Sequence, residues 1–449
     1  MLEERIGEWR TYLRRRQAIH AADVEELEDH LRGQVSALSE VGLSDDEAFL
    51  VAVKRLGALD SLSREFALEY SERLWKQLVV APGDEASKET RREATVAVGL
   101  AIAAAVATRL PELFGFRLEG PDGAEWFYIR NFSLFVLPFL AVFFAWKRRL
   151  SGTGWVWLAV PFVAGGFLMN LPPFTVDGST GPLAALHLPI ALWLAVGVAY
   201  AGGRWRHADR RMDFVRFSGE WFIYYALIAL GGGVLIGFTA FMFGAIGIDP
   251  ESFVGSWILP CGVAGGVLIA GWLVEAKQSV IENMAPVLTR LFTPLFTLVL
   301  LGFIATMVWT GSAIEVEREV LIGFDLLLVL VLGLLLYSVS ARDPQAPPTA
   351  FDTLQLVLVL CALLVDALAL WAIAARISEF GFSPNKVAAL GENLILLANL
   401  GGSAVLYARF LAGRGAFVSL ERWQTAYLPV YAIWAWVVVA VFPPLFGYR

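Results

Sequence analysis

Apolar runs too long for a soluble core recur through most of this chain, among them 324–337 (FDLLLVLVLGLLLY) and 356–375. A run of about 18 or more apolar residues reads as a transmembrane helix. With 57% hydrophobic and only 17% charged residues, the chain is expected to be an all-α integral membrane protein. The residues before 93 break this pattern. They hold 19 of the 42 acidic residues and 14 of the 35 Lys and Arg, so this part is mildly acidic and has no basic footprint for nucleic acid.

The expected organisation is a small cytosolic helical domain at 1–78, a linker at 79–93 and a membrane domain at 94–449. The opening MLEERIGEWRTYLRRR lacks the apolar core and cleavage site of a signal peptide, which places the N-terminus in the cytosol. Cys261 and Cys361 fall inside apolar spans and read as small buried hydrophobes, not as a disulfide or metal site. No cofactor is expected.

Four helices can be drawn in the front domain. The first covers 2–19. The second covers 22–41, with Val24, Leu27, Leu31, Val35 and Leu38 on one face. Gly42 stops it, and Ser44 with Glu47 three residues on forms a capping box. The third helix turns Ala48, Val51, Ala52 and Leu56 inward and stops at Gly57. Asp60 or Ser61 caps the fourth, which runs through Leu62, Phe66 and Tyr70 to Trp75. Arg14-Arg15-Arg16 reads either as a headgroup or partner contact or as a solvated helix end. His20 and His30, ten residues apart among carboxylates, are not expected to hold a metal. So small a core predicts support from a partner, the membrane or another copy. Pro82, Gly83 and the charges of 79–93 read as a linker.

The ordered string Glu26-Leu27-Glu28-Asp29-His30-Leu31, Gly42-Leu43-Ser44, Glu47-Ala48, Leu56-Gly57 and Glu65-Phe66 resembles the bacterial HAAS or permease-prefix domain. The resemblance implies a cytosolic signalling or regulatory module on a bacterial membrane protein. Its partner would be a cytosolic protein, such as a PadR-type regulator, or another membrane subunit. Glu26, Asp29, His30 and Arg32 are the candidate partner-contacting residues. The resemblance supplies no active site.

About eleven spans follow, the first near 94–115 and the last near 425–446, where Pro443-Pro444 breaks the run. With the N-terminus in the cytosol, the cytosolic loops hold fourteen Lys and Arg and the opposite side seven, in accord with the positive-inside rule. The C-terminus then lies outside the cytoplasmic membrane. Many of the 16 tryptophans sit near span ends, as interfacial anchors do. Val280, Ile281, Met284, Val287 and Leu288 fall on one face of a segment that is either an interfacial helix interrupted by Pro286 or a simple loop. The glycine pairs at 165–166, 231–233, 265–266 and 401–402 read as close helix packing.

The segments 283–295 and 376–386 (RISEFGFSPNK) are similar to a family of bacterial polytopic membrane proteins classed as a domain of unknown function. There the second motif is closer to R-I-x-E-Y-G-x-T-x-N-R, and this chain departs from it at Phe380, Ser383 and Lys386. The similarity covers 215–449 and brings no activity with it.

Charged groups inside spans are functional candidates by default, because their desolvation is costly. Asp325 and Glu392 are expected in the outer third and Asp366 nearer the middle. Arg130, Arg376 and His187 lie toward the same side, with Asn170, Asn393 and Asn399 nearby. Each reads either as part of a ligand, ion or proton site or as an interhelical contact that fixes packing. Asp366 and Arg376, ten residues apart on one helix, are about 15 Å from each other and do not pair directly. Pro384 is expected to start its span at the first turn.

No HExxH, GxSxG, CxxC or Walker sequence occurs. The leading expectation is a membrane sensor with an outward polar site and a cytosolic adaptor domain. The alternative is a secondary transporter or permease coupled through Asp366 and Asp325. A membrane enzyme using Glu392 and His187 and a purely structural scaffold are minor readings. A homo-oligomer is compatible with all four.

Overall fold

A computed structural model describes residues 2, 3, 5, 6, 9, 21–56, 84–117, 124–175, 177–245, 253–276, 284–310 and 318–449. The expected fourth front-domain helix, the Arg14-Arg15-Arg16 run and His20 lie outside these residues. Two compact units divide at Arg91 and Arg92.

In the first unit, α1 (Ala21–Glu40) and α2 (Asp45–Leu56) pack on each other and on the helical residues Ile6 and Trp9. Leu31, Val35, Ala48, Phe49, Ala52 and Val53 complete the core. Val51, expected inward, is only half-buried, and Phe49 and Val53 point inward in its place. Gly42 stops α1 at φ +98°, a left-handed position that glycine adopts without strain.

The capping box is present. Glu47 N–H donates to Ser44 Oγ at 3.4 Å, and Glu47 Oε2 accepts from Ser44 N–H at 3.0 Å and Ser44 Oγ at 2.7 Å. These donors hold the Glu47 carboxyl below the usual glutamate range, the Ser44 hydroxyl contributing most. A carboxyl depressed in the folded state contributes its stability above the ordinary value of about 4.3 and loses it as pH falls through the lower, folded value. Hydrogen exchange of the Glu47 amide is therefore expected to accelerate in that acid window. Ser44→Ala should accelerate it at neutral pH and remove most of the acid dependence.

The second unit is a helical bundle. Its helices are α3 (Asp84–Arg109, which begins before the division), α4 (Ala124–Lys147), α5 (Gly152–Asn170), α6 (Thr180–Tyr200) and α7 (Ala208–Ala245). They continue with α8 (Leu259–Ala276), α9 (Met284–Thr310), α10 (Arg318–Ala341), α11 (Ala350–Phe380), α12 (Pro384–Leu411), α13 (Val418–Ala440) and the short α14 (Phe442–Leu445). Two expected boundaries shift. Residues 84–93, read as linker, are already helical, since Asp84 and Glu85 suit a helix N-terminus and Ala, Lys, Glu and Arg carry it forward. Pro286 does not interrupt a separate segment; it sits in the first turn of α9, where its missing N–H costs little. Val280 and Ile281 lie outside the described residues.

Among the described residues, ten helices are long and apolar enough to cross a membrane, and α13 is not one of them. The position of the C-terminal residues is the one that a crossing by α13 would give. Thr175 N–H and Oγ1 both donate to the Tyr448 carbonyl at 3.0 Å, and Thr180 N–H donates to the Arg449 carbonyl at 3.0 Å. The 171–179 connection and the tail therefore share one face of the bundle. Between them lie α6 to α13, eight helices, and only an even number of crossings returns the chain to the same face. Ten plus α13 gives the expected eleven.

Of the glycine pairs, Gly165 meets Leu188, Gly266 meets Tyr225, and a Cβ on Gly402 would overlap the Trp423 ring. Gly231-Gly232-Gly233 departs from the expectation: no described atom comes within 4 Å of where their Cβ atoms would be. Both cysteines are free thiols.

Candidate functional site

Three mutually packed helices, α10, α11 and α12, bring the intramembrane carboxylates toward one another, and α6 closes the group beside α12. Asp325 is in the second turn of α10 and Glu392 is in the third turn of α12. His187 is in the second turn of α6, and Asp366 is near the midpoint of α11. The turns named for α6 and α12 lie next to the face that carries the 171–179 and 381–383 connections. Pro384 opens α12 at its first turn behind Ser383, as expected.

His187 Nδ1 lies 2.8 Å from the Leu183 carbonyl, and its Nε2 lies 2.6 Å from Glu392 Oε1. A carbonyl oxygen can only accept, so Nδ1 carries a hydrogen. Nε2 and Oε1 can then bond only if one proton lies between them, on the imidazole or on the carboxyl. The pair is thus a proton-holding unit between α6 and α12. Its histidine side chain is 5% exposed and its glutamate 33%.

Asn393 follows Glu392 and is fully buried. Its Nδ2 donates to Asp325 Oδ1 at 2.8 Å and to the Ala389 carbonyl at 2.8 Å, while its Oδ1 has no partner. Asp325 is close enough to Asp366 for the two charges to interact unfavourably. Asp366 is 0% exposed, and neither of its carboxyl oxygens has a hydrogen-bond partner among the described residues. Next to Glu392, Gly391 lies so near the Trp434 ring of α13 that a Cβ there would overlap it, which fixes the approach of α12 to α13.

The two candidate arginines stay outside this group. Arg130 stacks its guanidinium 5.7 Å from the Phe127 ring, and its buried Nε has no partner. Arg376 makes no ion pair among the described residues; its carbonyl accepts from Lys386 Nζ at 3.2 Å. The separation of Arg376 from Asp366 on α11 is as expected. Asn170 joins Asn131 through two reciprocal amide bonds of 2.7 and 3.0 Å. Among the described residues, no three His, Cys, Asp or Glu side chains gather as a metal-binding group.

Toward the other face the polar side chains are mostly paired. Asn399, Ser403 and Gln424 form one buried network, and Gln355 donates to Thr293 and Ser338 at 3.0 Å each. Gln355 and Asp366 share α11, but Leu358, Val359, Ala362 and Val365, all fully buried, intervene. Near the ends of the bundle, Glu275 takes Arg148 at 2.9 Å and Lys147 at 3.0 Å, and Asp352 takes Arg342 at 2.8 Å. Glu275, Asp352, Gln355, Gln424 and Asn131 were not among the sequence candidates. Their common signal was a polar residue in or beside an apolar run, whether charged or amide.

In the front domain, the Arg32 fork is taken up by Glu3 at 2.6 and 2.8 Å and by Glu28 at 2.9 and 3.1 Å. Asp29 is exposed. The side chains of Glu26 and His30 lie outside the described residues.

No family model, no curated protein and no solved structure matches this chain.

Proposed function

We propose that this integral membrane protein is a sensor of the bacterial cytoplasmic membrane. Its input is the Asp366, Asp325, Asn393, Glu392 and His187 group, opening to the extracytoplasmic side. Its output is the cytosolic front domain at 1–78, which engages a PadR-type regulator or another membrane subunit, as its resemblance to the HAAS domain implies. The observation that carries this reading is Asp366. A fully buried carboxyl with no hydrogen-bond partner is retained against its desolvation cost, and such groups mark ligand, ion or proton sites. A one-sided input is supported by the apolar layer from Leu358 to Val365, which separates Asp366 from the paired polar residues beyond it.

Thiol labelling tests the input, using Asp366→Cys in a Cys261→Ser, Cys361→Ser background in sealed vesicles. A membrane-impermeant reagent is expected to label from the extracytoplasmic side alone. Labelling from both sides would replace the sensor with a transporter of alternating access. The relay has its own measurement: hydrogen exchange across 21–56 of the full chain should differ between wild type and Asp366→Asn. Identical protection would sink it.

A further inference from the structure

We propose that the ligand of this site is the proton: one resides in the His187–Glu392 pair and a second exchanges on Asp366. The inference rests on the reading of this group as a functional site and adds what it binds. Two independent observations point to it. The pair must hold a proton because His187 Nδ1 is committed to the Leu183 carbonyl, which leaves Nε2 and Glu392 Oε1 a single hydrogen to share. Asp366, in turn, has no hydrogen-bond donor among the described residues to stabilise a bare carboxylate.

The charged groups on every packed helix agree with this. α10 carries Asp325, a like charge, and Arg318 and Glu319, whose side chains lie outside the described residues. From α12 come Glu392, committed to His187, and Asn393, whose two amide hydrogens go to Asp325 and the Ala389 carbonyl. Lys386 of α12 donates to the Arg376 and Gly381 carbonyls. From α9 comes Arg290 alone, in its second turn and exposed. On α11 itself, Asp352 is bound to Arg342, and Arg376 lies ten residues away. Among the described side chains no cation is directed at Asp366, and a proton from solvent is what neutralises it. A divalent metal is disfavoured by the lack of a third close carboxylate or imidazole among the described residues. In the exchange, hydronium gives its proton to the Asp366 carboxylate, leaving water and the neutral acid.

Infrared difference spectroscopy of the full chain in lipid nanodiscs, titrated with pH, tests this. Wild type should show a protonated-carboxyl C=O band that shifts in D2O, titrates with pH and is unchanged when choline replaces sodium. Asp366→Asn should lack that band, and Glu392→Gln should keep it. A spectrum unaltered by Asp366→Asn overturns the proposal, and a band that sodium abolishes assigns the site to a monovalent cation instead. If Asp366→Asn fails to fold, wild type decides alone: no D2O-sensitive carboxyl band at any pH means no such proton. A titrating Asp366 with unchanged exchange across 21–56 would leave the proton assignment standing and remove the sensor.

Discussion

Arg342→Ala is expected to destabilise the membrane domain by about 3–5 kcal/mol, the cost of stranding a buried charge. Asp352 is 2% exposed and depends on this one guanidinium, which reaches its two oxygens at 2.8 and 3.1 Å. The same fork donates to the carbonyls of Asp343, Ala346 and Pro347, and it lies over the rings of Phe410 and Phe417 at 4.7 and 4.4 Å. It therefore ties the 342–349 connection to α11, and its ring contacts reach α12 and the start of α13. Asp352 also accepts from Thr349 N–H at 2.7 Å, so the pair and the cap of α11 fail together. Thermal unfolding in nanodiscs should show Arg342→Ala and Asp352→Ala each severely destabilised. Arg342→Ala with Asp352→Ala should recover part of the loss, because neither charge is then left alone. Additive losses would show that the two residues act independently.

The fold was largely legible because its governing constraint is length and apolarity. Each expected span in the described residues corresponds to a helix, and the capping box at Ser44 and Glu47 and the Pro384 start are both present. The last span, read near 425–446, begins earlier, at Val418, because the first turns of α13 carry Glu421, Arg422 and Gln424 and its buried polar face is satisfied by α12.

The site was legible in kind but not in company. Charged residues inside apolar runs pointed to Asp325, Asp366 and Glu392, which lie on the mutually packed α10, α11 and α12. The same rule included Arg130, which lies over the Phe127 ring, and Arg376, which makes no ion pair among the described residues, because sequence position fixes depth in a helix but not which neighbour it meets. The partner of Glu392 is His187, 205 residues away. No spacing rule reaches across five intervening helices.

Replacing Asp366 is expected to do the opposite of replacing Arg342. Asp366→Val removes two buried oxygens that bond to nothing, so the protein should gain about 1–3 kcal/mol, the cost of an unsatisfied polar group, less any strain from the branched side chain. Asp325→Val should lose stability instead, since it strands an amide hydrogen of fully buried Asn393. The contrast separates two carboxylates that sequence treats alike. A residue whose removal raises the unfolding temperature contributes nothing to packing, and its presence calls for a function that tolerates the cost. If Asp366→Val is instead destabilised as much as Asp325→Val, Asp366 is a packing residue and the proposed input loses its central group. A gain in stability together with loss of the D2O-sensitive carboxyl band would identify Asp366 as the exchanging acid, held in place by the paired residues around it.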